Sequence, residues 1–155
     1  MRTLLAILLS GVGAMAQEPV DTGKLPISAE RKVDFATDIQ PLLKRSCLKC
    51  HGEKRPKSDF RMTSRESALK GGELGVAILP GDSANSPLVH FIAGLVEDME
   101  MPPEGKVPAL SDAEIGLVRG WIDQGAAWAQ QVYSTERQRA LDHGPKAHEV
   151  PLLLV

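Results

Sequence analysis

Two cysteines and a histidine stand close together in the sequence Cys47-Leu48-Lys49-Cys50-His51. Thiols at this spacing can each add across one of the two vinyl groups of a haem, and the adjoining imidazole then lies beneath the macrocycle, where it can bind the iron. The chain has two cysteines in all, so haem attachment would leave none for a disulfide. The motif predicts one covalent haem c, held by Cys47 and Cys50, with its iron bound by His51.

Two other chemistries also use a Cys-x-x-Cys pair. A redox-active dithiol is typical of thioredoxin-like folds, whose alternation of strands and helices is not visible in this sequence. A zinc site would want a second pair of ligands at similar spacing, and no third cysteine is present to supply it. The sequence therefore favours haem over a dithiol or zinc.

Residues 1–16 have the features of a secretory signal peptide. A positive start at Met1-Arg2 precedes an apolar run, and Ala14-Met15-Ala16 supplies a small-x-small cleavage site. No later segment approaches the ~20 apolar residues that a spanning helix needs, so we expect a periplasmic or otherwise exported protein without stable membrane insertion after cleavage. An uncleaved anchor is the alternative.

Large aromatic residues are few: three Phe, two Trp and one Tyr. A haem would supply the missing apolar volume, and a ligand bound only by the native state stabilises that state by mass action. We therefore expect the chain to fold poorly without haem.

Charge is distributed unevenly, although the formal net charge is only -2 and gives no reason to expect a nucleic-acid partner. The segment 44–65 has eight basic and two acidic residues, a net +6, whereas 97–114 has one basic and six acidic residues, a net -5. One interpretation is a charge dipole that orients the haem edge toward a redox partner. The other is a set of solvated faces without that role.

The apolar spacing predicts a helix that runs from Phe35 into the cysteine motif, with Asp38 as its cap, Pro41 in its first turn and Gly52 at its end. Residues 17–32 show no apolar period and predict an extended leader.

Three further helices are predicted downstream. A capping box of Thr63 and Glu66 starts a short helix that Gly71-Gly72 closes, and Ser86-Pro87 starts another. After a proline-rich loop over 97–109, a second box at Ser111–Glu114 starts a terminal helix that ends near Gly125.

Gly116 and Gly120 lie four residues apart on one face of that terminal helix. Interior glycines cost a helix about 1 kcal/mol each, so their pairing favours close approach of another helix. Tolerated surface glycines are the alternative interpretation.

The second axial ligand is less constrained by spacing. Met101 is the first candidate, because its soft thioether sits in the loop and is followed by two prolines that stiffen the backbone. Met99 is the nearest rival, and Met62 requires the middle of the chain to fold over the haem. A bis-histidine site would use one of three further histidines, namely His90, His143 or His148.

The order of these motifs resembles a planctomycete-type cytochrome c domain over 33–130. The resemblance is carried by Cys47–Gly52, Leu79-Pro80-Gly81-Asp82, Met101-Pro102-Pro103 and Trp121–Ala126. It implies a small all-α class I cytochrome c fold wrapped around one haem, with His51 as proximal and Met101 as distal ligand. It also implies that the helix carrying Trp121 crosses the helix entering the haem motif.

The resemblance implies an electron carrier and not an enzyme: an exported monohaem cytochrome that transfers single electrons between redox partner proteins. A haem with both axial positions filled leaves no open site for a substrate. Two alternatives are a haem subunit of a larger periplasmic oxidoreductase and a haem-based sensor of gas or redox state. Such domains are often joined to larger ones, so we expect this short chain to act alone or as a separate subunit. The C-terminal tail, 131–155, matches nothing familiar.

Overall fold

A computed structural model of the chain describes residues 20–128. The predicted signal peptide at 1–16 and the tail at 131–155 lie outside the described residues, as do His143 and His148. Within 20–128 the secondary structure is helical, and one isolated bridge between Gly72 and Gly75 takes the place of any strand. The all-α prediction is confirmed at this level. Across the same residues no helix combines the length and apolarity that crossing a bilayer requires.

The helix predicted to enter the cysteine motif is present, in three pieces. A π-helical turn at Phe35–Ile39 continues into α1 at Gln40–Ser46, and α2 at Leu48–His51 follows Cys47. Pro41 lies in the first turn of α1, where its missing N–H is tolerated. Gly52 ends α2, as predicted.

The predicted cap of this helix is wrong by four residues. Asp34 is the cap: its backbone is extended, and its carboxylate accepts a hydrogen bond from the Thr37 N–H at 2.9 Å. A capping side chain needs this non-helical backbone, which Asp38 lacks because it lies inside the π-helical turn. The Asp38 carboxylate instead accepts from the Arg31 guanidinium and the Asp34 N–H.

The first predicted capping box is wrong by one residue. Helix α3 spans Arg65–Lys70, and its box is formed by Ser64 and Ser67, not by Thr63 and Glu66. Ser64 has the extended backbone of a cap, and its hydroxyl accepts from the Ser67 N–H at 3.1 Å. The predicted end is confirmed, because Gly71 follows the helix with a φ of +82° that favours glycine.

The last two helices follow the sequence prediction. Helix α4 spans Pro87–Ile92 after Ser86, and α5 spans Asp112–Asp123 after a capping box of Ser111 and Glu114. The segment between them contains no regular helix, as its prolines require.

The two glycines of α5 allow the N-terminal leader to lie directly on the helix. A Cβ built on Gly116 would lie 2.5 Å from the Ile27 carbonyl oxygen, and one on Gly120 would lie 2.6 Å from that of Ala29. The Ala29 N–H donates to the Gly116 carbonyl at 2.9 Å. Close approach is therefore confirmed, but the expectation of a helix as partner is wrong: the partner is extended backbone, which comes closer than a helix bearing side chains.

An aromatic cluster joins α5 to the start of the helix entering the motif. The ring centroids of Phe35 and Trp128 are 4.4 Å apart, and Trp121 lies 6.0 Å from Phe35 and 5.4 Å from Trp128. All three rings are buried, and the Trp121 indole N–H donates to the Ala127 carbonyl at 2.7 Å. The helix carrying Trp121 therefore contacts the start of the helix entering the cysteine motif.

Candidate functional site

An apolar cleft of about 810 Å³, including its opening to solvent, lies beside the cysteine motif. Its walls are mostly hydrocarbon, aromatic ring and sulfur. They include all four residues predicted to bind haem, Cys47, Cys50, His51 and Met101, together with Phe60, Met62, Leu74, Ala77, Leu88, Phe91, Ile92, Met99, Pro102 and Pro103.

Backbone hydrogen bonds bring the three motif side chains to the same cleft. Cys47 ends α1 with its N–H bonded to the Leu43 carbonyl at 2.9 Å, and the His51 N–H donates to the Cys47 carbonyl at 2.9 Å. One helical turn therefore separates Cys47 from Cys50 and His51, and residues three and four apart lie on one helix face. The spacing read from the sequence has this physical basis.

The imidazole of His51 is oriented by a backbone carbonyl. Its Nδ1 lies 3.0 Å from the Phe60 carbonyl oxygen, and the two aromatic rings meet edge to face at 5.3 Å. A carbonyl oxygen only accepts, so Nδ1 carries the proton of the neutral ring and Nε2 keeps its lone pair. This arrangement is the one that a metal-binding histidine requires.

Burial raises the pKa of the Cys47 thiol to about 11, a shift that the nearby Arg45 cation opposes and Cys50 reinforces. A redox-active dithiol needs the opposite, since its attacking cysteine reacts as a thiolate of lowered pKa. The pKa of Cys47 is therefore shifted away from the direction that the attacking cysteine of a dithiol needs. The structure also brings together no cluster of three or more His, Cys, Asp or Glu side chains suited to a metal ion within 20–128.

Among the candidates for the second axial ligand, three methionines line the cleft and His90 does not. Met99 and Met101 belong to the segment after α4, where the Met101 N–H donates to the Phe91 carbonyl at 3.0 Å. Met62 is 2% exposed. Its N–H donates to the His51 carbonyl at 2.8 Å, so the backbone of Met62 lies beside that of His51. His90 is absent from the cleft walls, and its Nε2 lies 2.7 Å from the Ala84 carbonyl oxygen.

The loop that carries Met101 is fastened to the cysteine motif by side chains that sequence reasoning missed. Ser46 donates from its hydroxyl to the Pro108 carbonyl at 2.8 Å, and the Lys49 ammonium reaches the Lys106 carbonyl at 3.3 Å. A serine before a cysteine has no distinguishing sequence pattern. The only available signal was its position four residues after Leu42 and three after Leu43, which places it on the buried face of α1.

Some charged side chains of the two segments are engaged in contacts within the fold. Arg45 and Glu114, one from each charged segment, form an ion pair with two hydrogen bonds of 2.8 and 3.0 Å. Arg65 donates to the carbonyls of Gly125 and Ala126 beyond the end of α5. The exposed positive charge around the motif is therefore smaller than the sequence count implies.

Residues 47–105 match the family model described as Planctomycete cytochrome C. The match begins at the first cysteine and extends past Met101, so it includes all four predicted site residues. No curated protein and no solved structure matches the chain. The resemblance inferred from the order of motifs is confirmed over this segment.

Proposed function

We propose that the chain is an exported monohaem cytochrome that carries single electrons between partner proteins, because residues 47–105 match the family model described as Planctomycete cytochrome C. The observation that carries the proposal is the composition of one cleft. Two thiols, an imidazole with a free Nε2 and a thioether all line the same apolar space. This donor set fits a covalent haem, and the cleft around it has few polar groups that could bind a polar substrate.

In this proposal each of the four residues has a separate task. Cys47 and Cys50 would hold the haem through thioether bonds, while His51 Nε2 and the Met101 sulfur would bind its iron. The haem, when bound, supplies an iron that accepts and gives up one electron. With protein atoms from His51 and Met101 both bound to it, the iron would have no coordination site for a substrate, which favours electron transfer over catalysis.

The surrounding residues adapt the cleft to that task. The Phe60 carbonyl accepts the Nδ1 proton of His51 and so would keep the ring oriented, with Nε2 available to the iron. The apolar walls exclude water, and a dry site around a metal controls its potential through the local dielectric. Redox partner proteins would approach at the opening of the cleft.

The organisation of the chain completes the proposal. Residues 1–16 act as a signal peptide that exports the protein, 17–32 as a leader and 33–130 as the haem domain, with 131–155 as a tail. Export to the periplasm or an equivalent compartment suits a domain of this family.

A redox titration of the purified protein, followed by its visible spectrum, tests the carrier function. We expect a single reversible one-electron transition and no binding of carbon monoxide to the reduced protein at neutral pH. Ready carbon monoxide binding by the wild type would contradict a carrier and favour a sensor. Consistent copurification with a second protein would instead indicate a subunit of an oxidoreductase.

A further inference from the structure

Ser46 is a buried polar residue immediately before the first cysteine of the motif. Its side chain is 5% exposed, and its hydroxyl lies 2.8 Å from the Pro108 carbonyl oxygen, 62 positions further along the chain. Pro108 is near the end of the loop that carries Met101. One hydroxyl therefore joins the helix end at which haem attachment is proposed to the loop with the proposed distal ligand.

The Ser46 hydroxyl takes part in a second hydrogen bond. Arg45 Nε donates to the Ser46 hydroxyl oxygen at 3.2 Å, and the same guanidinium is held by both carboxylate oxygens of Glu114. Because a carbonyl oxygen only accepts, the Ser46 hydroxyl donates its proton to Pro108 while its oxygen accepts from Arg45, so the hydroxyl takes part in both bonds at once.

Few other contacts of this kind hold the loop. Among the described residues, hydrogen bonds from the rest of the chain to residues 102–109 come from Ser46 and from Lys49. The Lys49 bond is longer, at 3.3 Å, and exposed to solvent. The start of the loop is fixed by the backbone bond of Met101 to Phe91, so Ser46 provides the buried attachment at the other end.

We propose that Ser46 is a positioning residue that holds the Met101 loop against the cysteine motif, and so keeps the Met101 sulfur on the iron. The proposal rests on the proposed function and adds a residue outside its four ligands. An outside ligand that displaces Met101 by opening the whole loop would also break the bond to Pro108. Removing a bond of ordinary strength should therefore make displacement about 3- to 10-fold easier.

The test uses the holoprotein with imidazole as the displacing ligand of the oxidised iron. We expect Ser46→Ala to bind imidazole about 3- to 10-fold more tightly than wild type, and Ser46→Thr, which keeps the hydroxyl, to restore part of the difference. Ser67→Ala is the matched control, because it removes a serine hydroxyl of the α3 capping box that does not contact the loop. It should lower the melting temperature and leave imidazole affinity within twofold of wild type.

Equal imidazole affinity in Ser46→Ala and Ser67→Ala would overturn the proposal and leave Ser46 a purely structural residue. Amide hydrogen exchange provides a readout that does not depend on the ligand: exchange in 104–109 should be faster in Ser46→Ala and unchanged in Ser67→Ala. If the wild type lacked a methionine ligand, the proposed site would fail, but the exchange comparison would still decide whether Ser46 holds the loop.

Discussion

The two sides of this small domain are built differently. On one side, Phe35, Trp121 and Trp128 pack against one another while the leader lies on α5, so that side chains and backbone find partners within the chain. On the other side, the walls of the cleft face a space of about 810 Å³, and Leu74 at its edge is 68% exposed. We call the first side the finished core, because its side chains already pack against other parts of the chain. The other side is shaped for an apolar occupant.

This contrast explains how so few aromatic residues suffice. Both tryptophans and Phe35 serve the finished core, whereas Phe91 lines the cleft together with Phe60, which is itself buried. Apolar surface left facing water loses the stabilisation that burial provides, about 25 cal/mol per Å². A haem in the cleft would bury those walls, so we expect ligand binding and folding to be coupled.

The largest expected effect follows from removing His51, the proposed iron ligand next to the second cysteine. His51→Ala should leave the haem attached through its thioethers but poorly fixed, so that the cleft side loses cooperative unfolding while the aromatic core retains partial structure. Thermal unfolding followed by circular dichroism checks this. A sharp transition like that of the wild type, or a well-folded protein without haem, would show that the aromatic core alone suffices.

The next effect separates the two methionines of the loop. Met101→Ala should open a coordination site, with loss of the weak near-infrared sulfur-to-iron band, a lower potential and ready carbon monoxide binding. Met99→Ala and Met62→Ala are matched controls that remove a thioether from the same cleft, and they should change none of these. If the band survived in Met101→Ala and vanished in Met99→Ala, the distal ligand would lie two residues earlier.

A smaller effect is expected in the finished core, where the leader lies on α5. In Gly120→Ala, the new Cβ would lie 2.6 Å from the Ala29 carbonyl oxygen and 3.2 Å from Val33 Cγ2, so the leader must move. Overpacking of this kind costs about 1–3 kcal/mol, which urea unfolding of the holoprotein measures.

The haem spectrum should not change, because the clash is with the leader and not with the cleft. Gly23→Ala is the control: its Cβ would meet only the exposed Asp21 carboxylate, so a change within about 0.5 kcal/mol is expected. Equal effects of the two substitutions would mean that the leader does not rest on α5.

The smallest effect concerns the ion pair between Arg45 and Glu114. Hydrogen bonds from Arg45 and from the Ser111 N–H lower the pKa of Glu114 from 4.5 to about 2. A carboxylate with a lowered folded-state pKa stabilises the fold above the unfolded-state pKa, and that stabilisation is lost as pH falls from about 4.5 toward 2. Because the Glu114 side chain is partly exposed, we expect at most about 1 kcal/mol at pH 7.

Glu114→Gln should accordingly lower the free energy of unfolding at pH 7, and the difference from wild type should shrink at pH 3. Glu66→Gln makes the same chemical change at an exposed position of α3 and should have little effect at either pH. A difference that stayed constant between pH 7 and pH 3 would contradict the assigned pKa.

The sequence was most informative where a signal is local. The spacing of Cys47, Cys50 and His51 places them on one helical turn, and the box of Ser111 and Glu114 marks the start of α5 without reference to the rest of the fold. The predicted caps were wrong at two helices, where the structure has Asp34 and Ser64. Several neighbouring polar residues could cap each helix, and the choice depends on which one has extended backbone.

Long-range partners were the least accessible to sequence reasoning. Gly116 and Gly120 indicated a close approach, but nothing in the aperiodic leader shows that its own backbone is the partner. Ser46 contributes through a contact with Pro108, 62 positions away, and the Phe60 carbonyl through a contact with His51, nine positions away. A backbone carbonyl leaves no trace in the residue type.

The central claim is that the cleft holds one haem bound covalently through both cysteines. The most direct test is mass spectrometry of the protein from cells competent in cytochrome c maturation, after reduction, alkylation and tryptic digestion. Trypsin cuts after Lys49, between the two cysteines, so Ser46–Lys49 and Cys50–Lys54 should remain joined through one haem, with neither cysteine alkylated. Recovery of two separate peptides, each with an alkylated cysteine and no haem, would contradict the account.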